Sequence, residues 1–311
     1  MTLSMKVEQT HRLQYADSVT LVAQQTRDAL AGSVTTIGAK GEAQSTTDLY
    51  DAGEYAYGEA RSRRNPEMPV EASRRWLIMP PVIESGQYIE KEDKWASATD
   101  PTSTVVTVHT RRVVRGKQDR KMGVRKDKDT GLFVVSDGGI LGYATEGKRA
   151  ETQNPLPPSQ IVPRGATGLT LEKIRDAKLV LQKADFGIED DDPMYCVITP
   201  QQIDDLLAIA QASANSLNAF NIEQLRSGKP TPLLGINWLL TNRVPVAADN
   251  EQVRLCPLYS KNNIVEGVWQ DLRGDMWNDT SAKNLPYAYV SAYTDCVRNE
   301  DKGVIVIECN E

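Results

Sequence analysis

MYCVITPQQIDDLLAIA (194–210) and LRSGKPTPLLGINWLLTNRVP (225–245) are the stretches on which the reading of this chain turns. MYCVI is a short apolar, β-type run. Thr199, Pro200 and Gln202 follow as a capping box with proline at the first helical position, so a helix starts at Pro200. Ile203, Leu206, Leu207 and Ala210 recur on one face of that helix. A second helix precedes GINWLLTNRVP, which reads as a second strand stopped by Pro245. None of these segments carries an obvious catalytic group.

Just upstream, Thr170 caps a helix with the stripe Leu171, Ile174, Ala177 and Leu181, ending before Gly187. Glu172 in its first turn complements the helix dipole. Downstream, YAYVSAYTDCV and GVIVIECNE flank a turn at Arg298 to Lys302 and read as an antiparallel pair. Tyr287, Tyr289, Ser291 and Tyr293 share one face of it.

The first half is harder to house in a core. HRLQYADSVTLVAQQTRDAL (11–30) has a modest helical stripe of Leu13, Ala16, Val19 and Ala23, followed by a Gly-, Ser- and Thr-rich stretch. From Tyr50 to the RRWLIMPPVI run (74–83), tyrosines and arginines surround a polar tip, as in a long two-stranded ribbon. Such a ribbon is marginally stable alone and needs a partner surface. STVVTVHTRRVVRGKQDRKMGVRK (103–126) is ambiguous. Its β-branched residues favour strand, whereas Pro101 and the spacing of Val106, Thr110, Val113 and Val114 favour helix.

The chain has 311 residues, 40% hydrophobic and 25% charged, with a net charge of −6. That is enough for a sizeable core in one or two domains. The acidic balance argues against a dedicated nucleic-acid binder. No apolar run is long enough to span a bilayer, and residues 1–15 lack the apolar core of a signal peptide. Four dispersed cysteines read as buried reduced thiols, and two histidines are too few for a His-rich metal site. EDDDP (189–193) lacks the glycine and distal glutamate of an EF-hand loop and reads as a solvated turn. Phosphate-cradling, nucleophile-elbow and zincin motifs do not occur. No catalytic, cofactor-binding or metal-ligating constellation emerges, and no cofactor is expected.

Two basic clusters stand out. Arg61, Arg63, Arg64, Arg74 and Arg75, with Trp76 beside them, lie on the ribbon and suit ion pairs across subunits, since the arginine fork grips carboxylates in two directions. Arg111, Arg112, Arg115, Lys117, Arg120 and Lys121 lie on the ambiguous segment.

The order of these parts is similar to that of major capsid proteins of tailed bacteriophages with the HK97-type fold. The resemblance rests on DPTSTVVTVHTRRVVRGKQDR (100–120), LPPSQIVPRGATGLTLEKIRDAKLVLQKAD (156–185), VITPQQIDDLL (197–207), LLGINWLLTNRVP (233–245) and YAYVSAYTDCVRNEDKGVIVIECNE (287–311), taken in sequence. It implies an α+β fold with an N-arm at 1–47 and an extended β-hairpin E-loop at 48–98. It implies a P-domain at 99–165 with a spine helix at about 102–122, an A-domain at 166–285, and C-terminal strands at 286–311 returning to the P-domain. The ambiguous segment should then be helix. The implied function is a non-enzymatic shell of pentamers and hexamers, icosahedral or prolate, enclosing double-stranded DNA. It would assemble in the host bacterial cytoplasm, and the basic helix would face the genome without sequence preference. Implied partners are further copies, a portal, a decoration protein and a scaffold. Only about a dozen residues precede Leu13, so the scaffold is expected to be a separate protein. No Lys–Asn–Glu cross-linking triple is identifiable. The nearest alternative is an encapsulin-like nanocompartment shell. A soluble α/β enzyme with an unrecognised site is the alternative from another class.

Overall fold

The structure is a computed structural model and describes residues 26–50, 53, 55, 68–90, 102–189, 191–212 and 234–311. The stripe Leu13, Ala16, Val19 and Ala23, the ribbon arginines Arg61, Arg63 and Arg64, and the second helix expected before Gly235 lie outside those residues.

In chain order the strands are β1 (Thr35–Gly38), β2 (Ala43–Tyr50), β3 (Ala72–Ile78), β4 (Ile83–Tyr88), β5 (Val124–Lys126), β6 (Phe133–Val135), β7 (Ala144–Glu146), β8 (Thr152–Asn154) and β9 (Ile161–Val162). They continue as β10 (Met194–Ile198), β11 (Ile236–Leu240), β12 (Val253–Ser260), β13 (Ile264–Asp279), β14 (Leu285–Arg298) and β15 (Val304–Asn310). The helices are α1 (Thr102–Met122), α2 (Leu171–Lys183) and α3 (Pro200–Ala212). One sheet runs β1-β13-β14-β4, a second β11-β10-β12-β15-β9 and a third β2-β3-β7-β8, with β5 and β6 as a separate pair.

The ambiguous segment is helical as far as Met122, despite its β-branched run, and its last three residues form β5. Tertiary burial decides the matter over local propensity. His109, Val113, Gln118, Lys121 and Met122 are all buried. Val113 packs with Val290, Ala292 and Ile83, so α1 lies across β14 and β4. Gly116 makes this approach close: a Cβ there would sit 2.5 Å from Ile83 Cγ2. In an isolated helix Gly→Ala gains about 1 kcal/mol. Here Gly116→Ala is expected to lose about 1–3 kcal/mol by overpacking. Ile83→Ala in the same chain should return part of it, as urea titration of the single and double variants would read. The helix stops at Gly123, whose φ of +75° suits the left-handed position after a helix.

α2 begins as its sequence predicts. The Thr170 side chain accepts from Lys173 N, and Ile174, Ala177 and Leu181 are buried. Lys173 is also buried, and its Nζ donates to the carbonyls of Thr167, Gly168 and Glu308 at 2.8, 2.8 and 3.0 Å. At the start of α3, Thr199 N donates to Gln202 Oε1 at 2.9 Å, one half of the expected capping box. The Thr199 hydroxyl also donates to Glu311 Oε1 at 2.6 Å, and Arg254 Nε to Glu311 Oε2 at 2.7 Å. Burial alone would raise the Glu311 carboxyl, but Thr199, Arg254 and Gln202 outweigh it and hold it below its ordinary value of 4.5. A depressed carboxylate gives stability that is present above 4.5 and lost as pH falls through the lower folded value. Glu311→Gln should therefore flatten the acid limb of the stability profile below that pH. A superimposable limb would show that Glu311 is not coupled to folding.

Three expectations about strands are corrected. The two C-terminal segments do not pair with each other. β14 pairs with β13 and β4, whereas β15 pairs antiparallel with β12 and parallel with β9. Both are largely buried, so each needs partners on both edges, and a 3₁₀ turn at Asp301–Gly303 carries the chain between sheets. The ribbon is likewise less isolated than expected. β2 and β3 form an antiparallel pair, but β3 also pairs with β7, and β4 is an edge of the β14 sheet. The strand after Gly235 ends at Leu240, short of Pro245.

The largest apolar cluster lies around β10, β12, β15, α2 and the end of α1, with Leu30 and Val34 contributing from before β1. Cys196, Cys256, Cys296 and Cys309 are all buried and unbridged.

Candidate functional site

No described cleft gathers the groups of an active site. Among the described residues, no cluster of three or more His, Cys, Asp or Glu side chains is arranged to hold a metal ion. A cleft of about 520 Å³ between the β5–β6 pair and the β9 edge is lined by Val135, Leu141, Tyr143, Leu156 and Ile161, with Arg125, Asp137, Asp249 and Glu308 among its polar groups.

The charged surfaces are more informative. On the ribbon base, Arg74 and Arg75 are neighbours in a strand and so face opposite ways. Arg74 is half-buried on β3 and forks onto Asp48 of β2, with Nη2 2.8 Å from Oδ2 and a second bond from Nε to Oδ1. The guanidinium holds the Asp48 carboxyl below its usual range. It also lies 5.7 Å from the Trp76 ring centroid, while the Trp76 indole donates to the Gly147 carbonyl.

Arg75 is 6% exposed. It donates to the Asn299 carbonyl at 2.9 Å and to Asp301 Oδ2 at 3.0 Å, and lies 3.3 Å from Glu146. Its described carboxylate partners come from its own chain, because alternation turns it inward.

The helical cluster is also divided. Lys117 pairs with Asp271 at 2.6 Å and Arg120 with Asp295 at 2.8 Å. Lys121 is buried between Asp28 at 2.7 Å and Glu266 at 3.0 Å. These three are partnered within the chain and do not form a single open basic face with the others. Arg111 and Arg115 are half-buried and Arg112 is exposed. Burial and then the charges of Arg243 and Arg112 push the Arg115 guanidinium below its usual value, against the pull of Asp119.

Sequence reasoning left two features without a role. Arg243 forks onto Asp119 of α1 and lies 4.5 Å from the Phe133 ring centroid, joining α1 to the turn after β11. Burial raises the Asp119 carboxyl, and the Arg243 hydrogen bonds only partly reverse this. On the face of β14 away from α1, Tyr88, Trp277, Tyr287 and Tyr289 form an aromatic group with neighbouring centroids 4.6 to 6.4 Å apart. Tyr88 and Trp277 in it are 41% and 45% exposed. The alternating Tyr287 and Tyr289 gave a signal for it, but Trp277 lay on a strand that was not recognised.

The sequence matches a family described as "Phage capsid protein" over residues 7–311. No curated protein matches it. Among solved structures it is similar to the capsid of Cyanophage P-SCSP1u, with TM-score 0.68, 12% identity, and coverage of 99% of this chain and 96% of that one. It is similar to the capsid of Ralstonia phage GP4, with TM-score 0.67, 13% identity, and coverage of 100% and 98%. The capsid of a native GTA particle gives TM-score 0.66 at 13% identity, covering 99% and 98%. At such identities the structural likeness establishes the α+β, HK97-like fold.

Proposed function

Because this chain belongs to the phage capsid protein family, we propose that it assembles as pentamers and hexamers into the icosahedral or prolate shell of a tailed-phage head enclosing double-stranded DNA. The observation that carries this reading is the full-length agreement of family and fold. Exposed apolar groups on and beside the ribbon support it. Tyr50, Tyr55, Met68 and Val70 are 68%, 77%, 45% and 60% exposed. Apolar groups gathered on one projecting element mark an interaction surface. The ribbon would lie on a neighbouring subunit, with Arg74 and Trp76 at its base and Arg61, Arg63 and Arg64 toward its tip.

The protein's role is structural and not enzymatic. Arg111, Arg112 and Arg115 would give weak, salt-dependent and sequence-independent contact with packaged DNA. A portal, a separate scaffolding protein and a decoration protein are the further partners, and assembly would take place in the host cytoplasm. Among the described residues, no helix is long and apolar enough to cross a membrane.

Electron microscopy of the purified chain tests the reading. Expressed alone, it is expected to give size-mixed shells or unassembled capsomers. Only monomers under every condition would refute the shell, and uniform full-sized shells would refute the need for a scaffold. Replacing residues 53–69 with a short Gly-Ser turn retains β2 and β3 and should abolish shells while leaving a folded subunit. Normal particles from that variant would show that the ribbon tip does not drive assembly.

A further inference from the structure

Among the described residues, β1 pairs with the outer edge of β13 from Val265 to Val268. Beyond that, its outer edge has no strand partner among the described residues. Every residue from Asp271 to Asn278 is exposed. An open edge presents a row of unpaired backbone groups that can template another strand. Proteins commonly protect such an edge with charge, which works when self-pairing brings like charges together.

Here the charges are arranged the other way. Leu272, Arg273, Gly274, Asp275 and Met276 read as a pseudo-palindrome centred on the glycine. In an antiparallel pairing of two such edges about Gly274, Arg273 of each copy faces Asp275 of the other. Leu272 faces Met276, both of which are exposed, at 39% and 47%. Within one chain Arg273 Nε lies 3.0 Å from Asp275 Oδ2, with the side chains 65% and 48% exposed. Pairing would convert that exposed contact into reciprocal cross-strand ion pairs. The register shift between Gln270 and Arg273 ends the pairable stretch on one side and leaves the Asp271–Lys117 pair undisturbed. On the inner edge Gly274 lies opposite Val290, which packs with Ala292 and with Val113 of α1.

We infer that the β13 edge at Leu272–Met276 is a two-fold contact, adding strand to strand against the same edge of a second copy. Such an isologous contact needs one patch that complements itself, and this one does. The inference rests on the shell reading for its supply of copies. In a shell the contact would join subunits across a local two-fold axis.

Two experiments on the full chain test it. Gly274→Cys places one thiol opposite its own copy, and a Cβ there meets nothing closer than Val290 Cγ2 at 3.9 Å. The four native cysteines are buried. Mild oxidation, or a short bismaleimide, should yield a cross-linked dimer as the main product on a non-reducing gel. Asn278→Cys, on the same strand but off the axis, should not. In the second experiment, Arg273→Asp and Asp275→Arg should each lower particle yield roughly tenfold, because each sets like charges face to face. Co-expressing the two variants should restore particles, because each then meets the opposite charge on the other. An effect confined to one chain would not be restored, since both chains have lost their internal pair.

Normal assembly of either variant alone, failure of the mixture, or absence of the Gly274→Cys dimer would overturn the contact while particles of the unsubstituted chain leave the shell reading standing. If the unsubstituted chain forms no particles, the shell reading fails by itself. The cross-link is then read on the soluble protein, where absence of the dimer overturns the pairing as well.

Discussion

Arg298→Met is expected to destabilise the subunit by about 3–5 kcal/mol, because it breaks a buried charge pair from one side. Arg298 is fully buried. Its Nε donates to Asp301 Oδ1 at 2.6 Å, and its remaining nitrogens reach the carbonyls of Ile140, Gly142 and Asn154. Burial pushes the guanidinium below its usual value and Asp301 draws it back up. Methionine fills much of the same volume but strands those carbonyls and leaves Asp301 to Arg75 alone. Urea unfolding of the purified subunit would measure the loss. An unchanged midpoint would mean that water or rearrangement satisfies these groups at little cost. Arg298→Lys should fall in between, because one ammonium cannot span a fork of acceptors.

Lys121→Met carries the second large expectation, a loss of about 3–5 kcal/mol by the same physics in reverse. Two carboxylates, Asp28 and Glu266, converge on this one ammonium, and Glu266 is 3% exposed. Burial alone would lower the Lys121 value, but the two carboxylates outweigh it and hold it above the ordinary 10.5. A raised lysine contributes stability that is fully present below 10.5 and lost as pH rises through the higher folded value. The pairing should therefore persist through neutral pH and fail only in strong alkali. Removing the lysine should eliminate that alkaline limb as well as lower stability near neutrality. A variant that keeps the limb would place its origin elsewhere. Asp28 stands just before β1, so the same substitution should loosen the N-terminal segment, which limited proteolysis near residue 28 would detect.

What could be read in advance follows the range of the forces involved. The starts of α2 and α3 were legible because caps are local: Thr170, Thr199 and Gln202 act within one turn of chain. The identity of α1 was not, because Val105, Val106 and Val108 favour strand and only contact with β14 and β4 makes them helical. The resemblance decided what local chemistry left open. β13 escaped notice because its charged distal half, exposed on both faces, shows no clean alternation of apolar and polar residues. The pairing of the C-terminal strands depended on β12 and β13, so an error about one strand became an error about two sheets. At the ribbon base, the alternation of side chains along a strand was enough to separate Arg74 from Arg75, had the strand been phased against Leu77 as an inward residue.

Asp301 gives the ribbon a mechanical connection to the rest of the subunit. It holds Arg75 of β3 on one oxygen and Arg298 of β14 on the other. A pull on β3 is resisted by this shared carboxylate and by the Asn299 carbonyl, both in the turn where the chain crosses between sheets. Tension applied at the ribbon therefore passes directly into the strands flanking that crossing. A neighbour that grips the ribbon takes hold of the whole subunit, and under load the ribbon should detach from its base only when the Asp301 junction gives way.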